Sequence, residues 1–299
     1  MNHIQLNKVQ TYLQNNARPI DLALYNFYFH GGSAQKVRDE LRNYQNDDGG
    51  FGNALEPDLR LPQSTALATW AAFRTMKEVG TPANNKMLQR GLNYLVSTYD
   101  QKRIGWAIIR PETDDYPHAP WWGYKTAMAD FGWGNPSAEL LGFLIKYGGS
   151  ETASLVSALT QKALARIKEV EPSQFHEVLT FKGLYELAPQ SLRKQLHEPL
   201  ERLIQKAVSV EPDEWKEYTA PPLRFITSPA DPFAYLFAEE LVRKNLEFLA
   251  DSIIDDHWEP NWDWSDTFAD EWKKAKIEWS GQLTVNNMQL LRAFKVTNL

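Results

Sequence analysis

The sequence of 299 residues contains no cysteine. Disulfides, thiolate nucleophiles, Cys-ligated zinc and iron–sulfur clusters are excluded with it. No run of about 18 apolar residues occurs, so no membrane span is expected. An excess of positive charge is missing too: 32 Lys and Arg stand against 38 Asp and Glu, for a net charge of −6. With no Lys/Arg-dense segment, nucleic acid is not an expected partner. Met1 to Leu13 shows no basic stretch leading into an apolar one, so no secretory signal is read and a cytoplasmic location is expected. The six histidines form no HExxH spacing and no serine sits in Gly-x-Ser-x-Gly. GGFGN at Gly49 to Asn53 lacks the Lys-Ser/Thr of a phosphate loop.

What is present is helical. Apolar residues recur at helical spacing, as at Leu88, Leu92 and Leu95, and period-two alternation is scarce. Breaks at Gly, Pro and Asn mark about twelve helices, at about 3–15, 20–30, 33–45, 63–79, 83–99, 136–148, 151–170, 173–188, 190–208, 231–244, 246–254 and 282–295. Connections after even-numbered helices are short: Gly31-Gly32, Gly80 to Pro82, Gly148 to Ser150, Pro189 and Asn245. Four of the others are long, at about 46–62, 100–135, 209–230 and 255–281. Such alternation predicts antiparallel helix pairs whose long loops share one rim. Pro19, Pro62, Pro136, Pro172 and Pro232 stand near helix starts, where proline is favoured. The segment Gln63 to Val79 is apolar over most of its circumference and reads as an inner helix; Ala83 to Tyr99 carries one apolar stripe and reads as an outer one. Six inner and six outer helices, at about 50 residues a pair, predict a closed ring and one domain over 1–299.

The segment Gln45-Asn46-Asp47-Asp48-Gly49-Gly50-Phe51 resembles the Gln-x-x-Asp-Gly-Gly-Trp/Phe repeat of terpenoid cyclases and protein prenyltransferase β subunits, with echoes at Gln101 to Trp106 and Asp255 to Trp258. Those proteins share an all-α (α/α)6 toroid. Asn53-Ala54-Leu55-Glu56-Pro57-Asp58, Ala119-Pro120-Trp121-Trp122 and Glu278-Trp279-Ser280-Gly281 are similar to bacterial single-toroid, prenyltransferase-like proteins. The prenyltransferase zinc site needs a cysteine and is absent. The cyclase Asp-x-Asp-Asp acid motif has its nearest match at Glu112-Thr113-Asp114-Asp115, with Glu in the first position. Cyclases of this kind pair two helical domains, and one is expected here.

Ten of the 11 tryptophans fall in the four long connections, Trp70 being the exception. Such a rim can stack on sugars, line an isoprenoid pocket or stabilise a carbocation, and it can equally anchor loops to the helices. Trp121, Trp122, Trp258, Trp262 and Trp279 are the candidate substrate-binding residues. Clustered carboxylates raise one another's pKa, so Glu112, Asp114 and Asp115 are candidate acids beside His118, while the same PETDDYP string reads as a solvated turn. Glu56 and Asp58 either brace their loop or line a cavity mouth, and the resemblance implies that Gln45 and Asp48 tie their loop to neighbouring backbone. Glu278 is expected at the same rim, as a catalytic group or a salt-bridging one. Asp255-Asp256-His257-Trp258-Glu259 has the form of a magnesium-binding Asp-Asp-x-x-Glu, but in a loop; no cofactor is expected beyond that alternative. Together these features predict a small-molecule ligand in a central cavity and acid-initiated chemistry on an isoprenoid or similar apolar substrate. A carbohydrate-active enzyme and a noncatalytic scaffold are the alternatives, and no partner subunit is specified.

Overall fold

The computed structural model describes residues 5–296, and among them the chain is all-α, with isolated β-bridges and no strand. Residues 3 and 4 of the first expected helix lie outside the described residues. The chain forms two compact units, one of Met1–Glu40 with Val208–Leu299 and the other of Leu41–Ala207.

The first unit begins with α1 (Leu6–Asn16) and α2 (Pro19–Phe29), and α3 (Ala34–Leu41) runs to its boundary. Pro19 opens α2 with a fixed φ and no orphan N–H. The second unit holds α4 (Ala66–Glu78), α5 (Lys86–Ser97), α6 (Tyr124–Asp130), α7 (Gly134–Tyr147), α8 (Ala153–Arg166), α9 (Phe175–Leu187) and α10 (Gln190–Ala207). The first unit then resumes with α11 (Pro222–Phe225), α12 (Glu239–Asp251) and α13 (Ala269–Ala293). Within it α13 packs on α1, α2 and α12; within the second unit α7 packs on α4, α8 and α9, and α9 on α10.

The contrast between α4 and α5 is as the sequence implies. Seven residues of α4, from Ala66 to Met76, are buried around most of its circumference, whereas α5 buries the single stripe of Met87, Leu88, Gly91, Leu92, Tyr94 and Leu95. Thr65 Oγ1 accepts from Ala68 N at 3.0 Å and starts α4; Asn85 Oδ1 accepts from Met87 N and starts α5.

Three expectations are corrected. Asn245 does not separate two helices, because α12 runs through it; the side chain is buried and its Oδ1 accepts from Leu223 N at 3.0 Å, satisfying a first-turn donor of α11. Pro232 does not open a helix: a single 3-10 turn, Ala234–Leu236, follows it and α12 starts at Glu239. Gly281 does not precede the last helix but lies inside α13, where an added Cβ would stand 3.0 Å from the Ala17 Cβ. There glycine serves close approach to the α1–α2 link, so Glu278, Trp279 and Trp272 are helical. The helices α6 and α11 are additional to the sequence reading.

Candidate functional site

The Gly-Gly turn of the second unit is built by its own side chains. Gln45 Nε2 donates to Gly49 O and Met87 O, both at 2.9 Å. Asp48 Oδ1 accepts from Gly50 N at 2.9 Å and from Ser64 Oγ at 2.7 Å. Arg90 Nη2 clamps the outside through Asn46 O and Asp47 O. Gly49 has φ +91°, and a Cβ there would overlap the Arg90 carbonyl. Gly49→Ala is therefore expected to cost about 1–3 kcal/mol in urea unfolding; a change below about 0.5 kcal/mol would show that the turn relaxes freely.

This turn ends in a local device that occurs three times among the described residues. Phe51 N donates to Thr69 Oγ1, Trp106 N to Ser137 Oγ and Trp258 N to Thr284 Oγ1. The indoles of Trp106 and Trp258 donate to Leu95 O and Leu249 O, carbonyls near the ends of α5 and α12. Each aromatic thus fastens a connection to a hydroxyl on a later helix, α4, α7 and α13 in turn, and the last two also satisfy an orphan carbonyl or one beside it. The sequence echoes at Gln101 to Trp106 and Asp255 to Trp258 mark these positions.

Within the second unit, two of the long connections are joined. Leu59 and His118 form a β-bridge, Arg60 N donates to Pro117 O and Ala119 N to Asp58 O. Glu56 and buried Asp58 lie in the turn that leads into Leu59, and the Nδ1 of His118 across the bridge is 2.7 Å from Tyr116 O. Glu112 forms a two-point pair with Arg110, and this holds its carboxyl below the ordinary glutamate value. It is kept ionised, the opposite of what a proton donor requires. Asp114 Oδ1 accepts from Tyr124 N at 2.7 Å at the start of α6, and Asp115 is exposed. Trp122 is buried and stacked on Phe131 with ring centroids 4.8 Å apart, while Trp121 is half-buried.

In the first unit Trp258 is buried as an anchor, and half-buried Trp262 stands edge-on to Trp279 at 5.2 Å and to Tyr218 at 5.5 Å. Half-buried Glu278 lies on α13. Asp255, Asp256 and Glu259 are not gathered as ligands: among the described residues no three His, Asp or Glu are placed to hold a metal. Glu259 instead pairs with Lys276 at 2.8 Å and lies 3.5 Å from His257, whose ring stacks on Tyr12 at 3.9 Å.

The most unusual polar set lies on α4, α7 and α9 of the second unit. Glu139, in the apolar stretch Ser137 to Leu144 of α7, has a side chain only 4% exposed. Its Oε2 accepts from the Trp70 indole at 2.7 Å, and Oε1 is 3.8 Å from Arg74 Nε. The Arg74 guanidinium stacks over Trp70 at 5.1 Å. Burial pushes the Glu139 carboxyl up, and Arg74, Lys77 and Trp70 only partly oppose it. Gly183 on α9 leaves the room, since a Cβ there would overlap the Glu139 carboxyl. Nearby, Lys77 and Lys182 both pair with Glu186, at 2.6 and 2.7 Å. Burial raises the Glu186 carboxyl, but the two ammonium groups outweigh it and bring it down to about 2.

Because that value lies below the ordinary 4.5, the Glu186 pairing stabilises the fold above pH 4.5 and is lost as pH falls toward 2. With the side chain about a third exposed, the loss is expected to be about 1–2 kcal/mol, and Glu186→Gln should flatten this part of the stability–pH curve. An unchanged slope in the variant would contradict the pairing.

The sequence reading passed over this set, although Trp70 stood out as the one tryptophan outside the long connections. A lone glutamate in an apolar helical stretch and a lysine in Val178 to Leu184 were the available signals. No family model, curated protein or solved structure matches the chain.

Proposed function

We propose that the chain is an enzyme that carries out acid-initiated chemistry on an isoprenoid or similarly apolar small molecule, with Glu139 as the proton donor. The observation that carries this reading is the Glu139–Trp70–Arg74 set: a buried carboxyl kept toward its acid form, touching a half-buried indole and an accessible guanidinium. A ligand that reaches Trp70 and Arg74 is beside the carboxyl, and the indole face supplies apolar contact and attraction for a developing positive charge of about 0.5–2 kcal/mol. Glu112 gives up the acid role because Arg110 keeps it charged.

The resemblance of Gln45 to Phe51 to the cyclase repeat supports the substrate class. The (α/α)6 toroid, as one domain with the ligand in its central cavity, belongs to the same proposal. It is supported by short links such as that between α9 and α10, by the long ones at 42–65, 98–123, 208–221 and 252–268, and by the recurring aromatic-anchored turn.

A thermal-shift panel tests the reading. It would contain polyprenyl diphosphates, neutral polyprenes and oligosaccharides, each with and without magnesium. A ligand at 100 times its Kd stabilises by about 2.7 kcal/mol. Stabilisation by a polyprene that is lost in Trp70→Ala and retained in Glu139→Gln, which keeps the shape of the site, is expected. Stabilisation by oligosaccharides alone would transfer the assignment to carbohydrate chemistry, and a flat panel would favour a noncatalytic scaffold.

A further inference from the structure

In the first unit the segment after Trp258 and the start of α13 border an open depression of about 290 Å³, lined by Pro260, Asn261, Trp262, Asp263, Trp272 and Lys276. We infer that this pocket binds a single saccharide ring, at a site separate from Glu139.

Size is the first constraint. Sites for drug-sized ligands begin at roughly 300 Å³, so this one admits a single ring. Its walls combine two partly accessible indoles with three hydrogen-bonding side chains. Asn261 commits its amide N–H groups to Glu217 O at 2.9 Å and Lys216 O at 3.4 Å, which leaves the amide oxygen as an acceptor. Asp263 spends Oδ1 on Ser265 N at 2.7 Å and keeps Oδ2. Lys276 places its ammonium 2.8 Å from Glu259 Oε2 and retains further N–H donors. Acceptors and donors side by side match vicinal hydroxyls, each of which both gives and takes a hydrogen bond.

Charge narrows the ligand further. Asp263 and the Glu259 partner of Lys276 oppose an anion such as a phosphate compound, and Lys276 offsets part of their pull on a cation, so a neutral polyol is the best match. The walls are also held before any ligand arrives. Trp272 rests against fully buried Trp264 at 5.7 Å, and Trp262 is flanked by Tyr218 and Trp279. Such preorganisation lowers the entropy lost on binding.

Saturation-transfer NMR on the full chain tests the inference. The probes are the methyl glycosides of glucose, galactose, mannose and N-acetylglucosamine, with choline and methyl phosphate as charged controls. Transfer to the ring protons of at least one glycoside is expected. Affinity should fall about tenfold in Asp263→Asn and in Lys276→Met, each of which removes one charged hydrogen-bonding group, and transfer should be lost in Trp272→Ala. Urea unfolding of Asp263→Asn should match the wild type, which separates lost contacts from lost fold, whereas Lys276→Met also removes the pair with Glu259. The inference is overturned by silence from every glycoside, by a stronger signal from choline or methyl phosphate, or by wild-type affinity in all three variants.

Discussion

Glu177→Ala is expected to destabilise the chain by about 3–5 kcal/mol, the largest single-residue effect argued from this structure. The Glu177 side chain has no exposed surface. Its two oxygens accept from Arg166 Nε and Nη2 at 2.9 and 2.8 Å, and Oε1 also accepts from Gly134 N at 2.7 Å. Thr180 Oγ1, one turn along α9, donates to Gly134 O. One carboxylate thus holds the end of α8, the start of α7 and the first turn of α9. Truncation leaves a largely buried guanidinium and a buried backbone N–H without their acceptor. A cycle with Arg166→Met checks the cause: the double variant should recover most of the loss, because no unpaired charge remains. A loss under about 1 kcal/mol in Glu177→Ala would mean that water replaces the carboxylate.

Glu139→Gln is expected to lower the rate of any conversion found in the ligand panel by about 10²–10⁴-fold, with a much smaller effect on KM. The amide retains the shape and the acceptor for the Trp70 indole but has no proton of the right acidity to give. The same variant has a readout that needs no substrate. A carboxyl raised in the folded state contributes stability that is complete below the ordinary 4.5 and is lost as pH rises through its folded value. Wild-type stability should therefore fall relative to Glu139→Gln as pH rises above 4.5. A constant difference across that range would remove the raised carboxyl, and with it the reason for choosing Glu139.

Much of the helical order was legible because its signals are local. The all-round burial of α4, the stripe of α5 and Pro19 at the head of α2 each express a period or a capping preference contained within one segment. Misreadings came where a residue that punctuates in isolation is used by a distant partner. Asn245 reads as a break until Leu223 N is known to need its oxygen, and Gly281 reads as a stop until Ala17 is known to lie against it. The candidate site divides in the same way. Gln45, Asp48 and the aromatic after them do as their motif implies, because the turn closes on itself within a few residues. Glu112 lay in a string of acids, yet its state is set by Arg110, which the acid motif does not include. Glu139 depends on Trp70, 69 positions away, and no spacing rule connects two helices that meet only in the folded chain.

Burial keeps the Glu139 carboxyl toward its protonated form. The most direct measurement is a carboxyl carbon-13 NMR titration of glutamate-labelled protein, with the resonance assigned by its disappearance in Glu139→Gln. A midpoint above the ordinary glutamate value of 4.5 is expected for Glu139, with Glu186 titrating near 2 in the same sample. A Glu139 midpoint at or below 4.5 would contradict the account and leave the proposed proton donor an ordinary buried ion-pair partner of Arg74.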